Sequence, residues 1–313
     1  MADATSRPTP RQRLTALGYL AGWRLLGALP WSVAWPAFRA GADIVSDSGK
    51  GMDMLRRNLT RVVGPENVAR ELVRDSVRSY ARYWLEAFRL PRIVQDDTAL
   101  AHYMSTGVDG VEHVETALAQ GNGVVLTLPH SGNWDLAGLW LVQHYSTFTT
   151  VAERLKPEEL FDAFVAYRES LGFEVLPLTG GRRAPYPRLK EVLRDNGIVC
   201  LLGERDLRRR GVPVTFFGEE TTFPAGPAKL AMETGAALLV AHAWFTDGPE
   251  GPGWGLKVDP PIAVDTLEPT VQRLADAFAA NIAAHPADWH MLQPLWPSDV
   301  PPQPRRHPGA GRG

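Results

Sequence analysis

From about residue 123 to residue 259, short apolar runs alternate with stretches of helical length, and that alternation restricts the chain to an α/β fold. GVVLTLP, FTTVAE, FEVLPL, GIVCLL, VTFF, ALLVAHAW and GLKVD read as strands, bounded by glycine, proline or asparagine. Residues 134–145, 157–171, 186–195, 226–234 and 267–284 read as the intervening helices. Two of these runs carry no alternation of polar and apolar residues, the mark of strands covered on both faces. The expected architecture is a central mixed, largely parallel sheet flanked by helices. Further helices are expected around 49–61, 65–89 and 111–120, and no internal linker interrupts the 313 residues, so 14–297 reads as one domain.

The flanks are of different character. Residues 1–13 carry neither the apolar core nor the cleavage site of a secretory signal and read as a flexible N-terminus. LTALGYLAGWRLLGALPWSVAWPAF follows, apolar almost all round but interrupted by Arg24, Pro30 and Pro36. Tyr19, Trp23, Trp31 and Trp35 suit an interfacial position at headgroup depth, so 14–60 reads as membrane-associating helices; a pair of core helices is the competing reading. The Pro-, Gly- and Arg-rich tail 298–313 is expected to be disordered. A net charge of −2 argues against a nucleic-acid partner, and a single cysteine, Cys200, excludes a disulfide framework. Lysine occurs five times and the other 28 basic residues are arginine, a bias that becomes informative only where arginines cluster.

Two segments share a layout that points to chemistry. ALAQGNGVVLTLPHSGNWD delivers His130 seven residues after Gly123, and VLRDNGIVCLLGERD delivers Glu204 seven residues after Gly197. If the two strands are parallel neighbours in register, His130 and Glu204 emerge side by side at the carboxyl edge of the sheet, where open α/β sheets bind ligands. A carboxylate there holds the imidazole in one tautomer and stabilises it when protonated. Asp135, in the first turn of the helix after His-Ser-Gly-Asn-Trp, is a second possible partner. A third strand places His242 seven residues after Gly235, but the strand runs on through Trp244, so His242 reads as a core histidine. Ser131 lacks the G-x-S-x-G elbow, Cys200 sits inside a strand, and His285 and His290 have no paired acidic ligands to make a metal site. Arg205, Arg208, Arg209 and Arg210 follow Glu204 within one short loop and suit a phosphate-bearing ligand.

His130-(four residues)-Asp135 resembles the H-x4-D motif of glycerolipid-type acyltransferases. The ordered set LPHSGNWDLAG, VAERL with Glu153 and Arg154, GERD from Glu204 to Asp206, VTFFGEETTFPAGPAKLAMETGA and WHMLQPLW resembles the branch containing the lipid A biosynthesis lauroyl/myristoyl acyltransferases and the phosphatidylinositol mannoside acyltransferases. The likeness spans roughly residues 14–297, and GERD with the arginine and alanine bias looks more like the mannoside enzymes. The resemblance implies transfer of a palmitoyl group from acyl-CoA to a mannose hydroxyl of a phosphatidylinositol mannoside, by a protein held peripherally at the cytoplasmic face of the cell membrane. It implies direct transfer with no acyl-enzyme, metal or cofactor. His130 is then the expected base and Glu204 its orienting partner. Asp135 is a second partner or an organiser paired with Arg168. Glu153, Arg154, Arg168, Arg205, Asp206, Arg208, Arg209 and Arg210 are the expected substrate-binding residues. The competing readings are a lipid A-type enzyme using acyl carrier protein, a lipid hydrolase and a non-catalytic membrane-surface scaffold.

Overall fold

A computed structural model of the protein describes residues 25–300, apart from 106, 155–157, 182, 208, 209, 249 and 250. The expected flexible N-terminus, the apolar segment up to Arg24, most of the expected tail, and Arg208 and Arg209 therefore lie outside the described residues. The helical part of the chain includes a helical stretch at 25–28, then α1 (Trp31–Val45), α2 (Asp53–Val63), α3 (Arg70–Ile93) and α4 (Asp97–Met104). The α/β body follows as β1 (Val108–Asp109), α5 (Val111–Ala119), β2 (Val124–Leu128), α6 (Trp134–Tyr145), β3 (Thr149–Ala152), α7 (Glu158–Ser170), β4 (Glu174–Pro177), α8 (Pro185–Arg194) and β5 (Ile198–Leu202). The hairpin β6 (Val212–Phe216) and β7 (Glu219–Phe223), then α9 (Gly226–Thr234), β8 (Ala237–Gly248), β9 (Gly251–Val258) and α10 (Leu267–Ala284) complete it.

Seven strands form one sheet in the order β1-β9-β8-β2-β5-β3-β4, with β8 and β9 antiparallel and every other neighbouring pair parallel. Successive residues of the central strands feed two separate cores, as the period of two requires. Leu126, Leu128, Cys200, Leu239 and Ala241 pack under α6 with Phe148 and Phe173. Val125, Val199, Leu238 and Val240 pack under α9, α10 and the β6–β7 hairpin with Phe216, Phe278 and Trp289. All five residues of β2 are buried, which accounts for its unbroken apolar run. The expected helices and strands are present to within a few residues; β1, β7 and α4 are additional. Strand β7 (EETTF) escaped notice because only its Thr221 and Phe223 turn inward.

Helix α1 packs against the helical part of the chain along one side only. Ala34 and Ala42 are buried and α1 lies along α3, with Arg78 of α3 bonded to Asp43 at 2.6 Å. Val33, Ile44 and Val45 remain exposed on it, and Trp31 and Trp35 stack at 5.7 Å. Among the described residues no helix is long and apolar enough to cross a membrane. At the other end, Pro297–Asp299 forms a short turn in which Asp299 pairs with Arg61 at 2.7 Å, so the ordered body extends past residue 297.

His242 is a core residue, as expected. Its ring is 1% exposed, lies near Trp244 and His285, and has no hydrogen-bond partner for either nitrogen among the described residues. Burial, and then the neighbouring His285, pull it down to about 3. An unfolded histidine titrates near about 6.5, so between these values the unfolded chain binds a proton that the native chain does not. Stability therefore falls as pH drops from 6.5 towards 3. His242→Phe keeps the ring shape and removes two orphaned nitrogens. Thermal unfolding of the variant should match or exceed the wild type at pH 8 and lose less on acidification to pH 5, by up to one proton's share, about 1.4 kcal/mol per pH unit. An unchanged acid sensitivity would mean that His242 is not the group taking up the proton.

Candidate active site

The register of β2 against β5 decides the site. Val124 faces Ile198 and Leu128 faces Leu202 in parallel pairing, a constant offset that carries two residues further to set His130 beside Glu204. The glycine turns before the two strands lock this offset. Gly123 has φ +75°, its N–H donates to Asn196 Oδ1 at 3.0 Å, and a Cβ there would meet the Leu193 carbonyl oxygen at 2.5 Å, so only glycine is accommodated. At the far end Gly203 N–H donates to Leu128 O at 2.9 Å.

Glu204 is fully buried, and its Oε1 accepts from His130 Nδ1 at 2.9 Å and from the His130 backbone N–H at 2.6 Å. Trp289 Nε1 makes a longer approach of 3.4 Å to the same oxygen. Burial alone would raise the carboxyl pKa, but the adjacent imidazole and its two donors hold it below the ordinary glutamate value. An anionic Glu204 keeps the proton on Nδ1, which leaves the Nε2 lone pair of His130 available. His130 retains 20% side-chain exposure, and no residue among those described bonds its Nε2.

Asp135 is not turned to the imidazole. Its carboxylate accepts from Tyr83 Oη at 2.9 Å and from Arg168 Nε at 2.8 Å, so the expected pairing with Arg168 is present and Asp135 takes the organiser's place. Burial, reinforced by the Asp135 charge, pushes the Tyr83 hydroxyl well above its ordinary pKa and keeps it a donor. The turn before α6 is anchored separately. Asn133 caps the helix by accepting from Leu136 N–H at 2.9 Å and donates to Glu86 at 2.8 Å, which pairs in turn with Arg82. Gly132 has φ +57° and lies so close to β8 that a Cβ would meet Ala243 O at 2.5 Å. Its N–H donates to Asp288 O, and His290 N–H donates to His130 O at 2.8 Å.

Two cavities meet this edge. An open one of about 570 Å³ is lined by His130, Glu153, Arg205, Asp206 and Arg210 at its polar parts and by Leu178, Leu189 and Leu201 among its apolar ones. A smaller one of about 70 Å³ lies between α6 and the sheet, lined by Trp134, Trp140, Phe148, Phe173 and Cys200, with Asp135 and Arg168 at its border. Of the expected substrate-binding residues, Glu153, Arg205, Asp206 and Arg210 thus share a cavity with His130. Arg205 bonds Gln293, and Asp206 accepts from Gly211 N–H at 2.6 Å and Thr222 Oγ1 at 2.9 Å, so Asp206 shapes the loop. Arg154 pairs with Glu158 and does not line either cavity, and Arg168 is occupied by Asp135. Burial raises the Cys200 thiol far above its ordinary value, in keeping with its reading as inert.

Sequence reasoning missed Tyr83, Glu86, Arg82 and Trp289, which reach the site from distant parts of the chain. The Asn-Trp-Asp start of α6 carried a detectable capping signal for Asn133, whereas nothing local marks its partner Glu86.

A family model described as bacterial lipid A biosynthesis acyltransferase matches residues 3–298. Over 292 residues the chain is 57% identical to the phosphatidylinositol mannoside acyltransferase of Mycolicibacterium smegmatis, an overlap of 92% of this chain and 93% of that protein. Over 300 residues it is 54% identical to the protein of the same name from Mycobacterium tuberculosis, covering 94% and 92%.

The two carboxylates should separate by experiment. Asp135→Asn leaves Arg168 without its counter-charge and should lower stability by about 3–5 kcal/mol in denaturant unfolding. Glu204→Gln should unfold closer to the wild type, while turnover falls by about 10²-fold or more because the imidazolium loses its anionic partner. A stable Asp135→Asn, or near-normal turnover in Glu204→Gln, would contradict this division.

Proposed function

We infer that this chain, which belongs to the bacterial lipid A biosynthesis acyltransferase family, moves a long-chain acyl group from acyl-CoA to a mannose hydroxyl of a phosphatidylinositol mannoside. The observation that carries the reading is the His130–Glu204 pair, with Nδ1 tied to a buried carboxylate and Nε2 open at the edge of a cavity. A sugar hydroxyl is a poor nucleophile until a base takes its proton during attack. His130 Nε2 accepts that proton as the hydroxyl oxygen bonds to the thioester carbon. Glu204 stabilises the imidazolium. The carbon–sulfur bond then breaks, and the departing thiolate takes the proton from Nε2, which restores the neutral imidazole and releases CoA. No covalent enzyme intermediate is required.

The acceptor is favoured by the names of the mycobacterial relatives. For the donor, Arg205 and Arg210 beside the larger cavity suit the phosphates of CoA, and the apolar cavity beside Trp134 suits the start of a hydrocarbon chain. The exposed Val33, Ile44 and Val45 of α1, with Trp31 and Trp35, support peripheral attachment to the cytoplasmic face of the membrane, where both lipid and acyl-CoA are accessible.

The test is lipid mass spectrometry after incubation with acyl-CoA or acyl carrier protein thioester and the mannoside acceptor. An acylated mannoside from acyl-CoA supports the reading; free fatty acid alone points to a hydrolase, and a product formed only from the carrier protein overturns the donor. His130→Ala should reduce turnover by about 10²–10⁴ with a near-normal melting temperature. Replacing Arg205 and Arg210 together by Gln should raise KM for acyl-CoA about two- to fivefold with kcat little changed, and raised salt should weaken wild-type binding in the same way. Equal KM values in that variant and the wild type would move the phosphate contacts elsewhere.

A further inference from the structure

Trp134 stands between the imidazole and the smaller, apolar cavity. It is the first residue of α6, its ring meets the His130 ring edge-on at 5.5 Å and 76°, and it also touches the rings of Tyr83 at 3.9 Å and His290 at 6.0 Å. The same side chain lines the cavity of about 70 Å³. Its indole Nε1 is buried and has no hydrogen-bond acceptor among the described residues. Three buried tryptophans do find one: Trp254 donates to Tyr103 O at 2.9 Å, Trp296 to Phe216 O at 3.3 Å and Trp289 to Glu204 at 3.4 Å.

A buried donor without an acceptor is costly and uncommon. A phenylalanine would remove that cost but give up part of the indole's packing, so the two effects on stability oppose each other. The orphan is informative because of where it lies. Trp134 meets the His130 ring on one side and lines the apolar cavity on the other, so a thioester whose carbon sits beside His130 Nε2 and whose first methylenes enter that cavity must pass the Trp134 side chain. Many of the nearby amides are already committed: His130 N–H to Glu204, Ser131 to Pro129, Gly132 to Asp288, Leu136 and Ala137 to Asn133.

Resting on the acyl-transfer reading above, we propose that the Trp134 indole N–H is the hydrogen-bond donor to the thioester carbonyl oxygen. As the hydroxyl oxygen bonds to the acyl carbon, the carbonyl π pair moves onto this oxygen and the N–H···O bond strengthens. When the carbon–sulfur bond breaks, the pair returns. The indole keeps its proton throughout. The position also makes Trp134 a selector for donors that present a carbonyl at the end of the tail cavity.

The experiment has two arms on the full chain. Trp134→Phe keeps an aromatic face on Tyr83 and His130 but removes the donor. Its kcat with acyl-CoA should fall about 10²-fold or more, the loss typical of one oxyanion donor, with KM for the acceptor and the melting temperature unchanged. In the second arm, protein labelled with 15N in tryptophan is titrated with two unreactive CoA derivatives of equal chain length. One carries a ketone where the thioester would be, and the other is an alkyl thioether with no carbonyl. The Trp134 Nε1–H resonance, assigned from its loss in Trp134→Phe, should move downfield with the ketone and not with the thioether. Turnover of Trp134→Phe within about threefold of the wild type, or equal responses to the two ligands, overturns the proposal. Failure of both ligands to bind overturns it together with the acyl-CoA donor. A normal ketone response in a protein that does not acylate the mannoside sinks only the acceptor assignment.

Discussion

The pairing of β2 with β5 is the constraint on which the rest of the site depends. Parallel strands fix the offset between their side chains to a whole residue, and a slip of one would turn His130 and Glu204 to opposite faces of the sheet. The offset is held at both ends, by the Asn196–Gly123 bond before the strands and the Gly203–Leu128 bond after them. A general base needs an accurate place and a defined tautomer. Here one carboxylate oxygen supplies both, because it binds the backbone N–H of His130 as well as its ring. Rotation of the imidazole is thereby coupled to the position of the strand end, so neither can drift without breaking bonds to a buried charge.

Around that pair the protein buries an unusual amount of polarity. Asp135 with Arg168 and Tyr83, Glu86 with Arg82 and Asn133, and Asp288 with Ser79 and His290 form three separate groups, each tying the turn His130–Trp134 or the segment facing it to α3 or α7. Ser79 Oγ donates to Asp288 at 2.6 Å, so the 2.9 Å contact to His290 Nε2 runs from the ring to the hydroxyl and fixes that tautomer too. Such groups contribute little net stability compared with apolar packing, but losing one member leaves a buried charge or donor exposed to no partner. Their effect is to make one arrangement of the turn much better than its alternatives.

Much of this is legible in the amino-acid sequence itself, and the reason is local. Each of the two key strands is delimited by a glycine turn and ends on its functional residue after the same interval, so register followed from counting. The Asp135–Arg168 pair was also within reach, through the resemblance of the surrounding segments. The partners on α3 were not. Arg82 and Glu86 sit four apart on a long helix and read as an ordinary surface ion pair; only their burial against β8, β9 and Asn133 gives them another meaning. Nothing local marks the Trp134 indole either; that its N–H lacks an acceptor among the described residues follows from the folded arrangement alone.

The segment 288–296 has a consequence for how the protein comes into being. Asp288 holds the Gly132 amide, His290 holds the His130 carbonyl, Trp289 walls in Glu204, and Asn58 grips Met291 and Gln293 through their carbonyls. During synthesis these residues emerge long after His130 and Glu204, so the sheet can pair while the imidazole's support is still missing. Closing the site therefore needs this segment as well: a thread drawn from beyond α10 back through the first helices. A polypeptide ending before Asp288 would possess His130, Glu204 and every strand of the sheet, yet hold them in an unfinished frame.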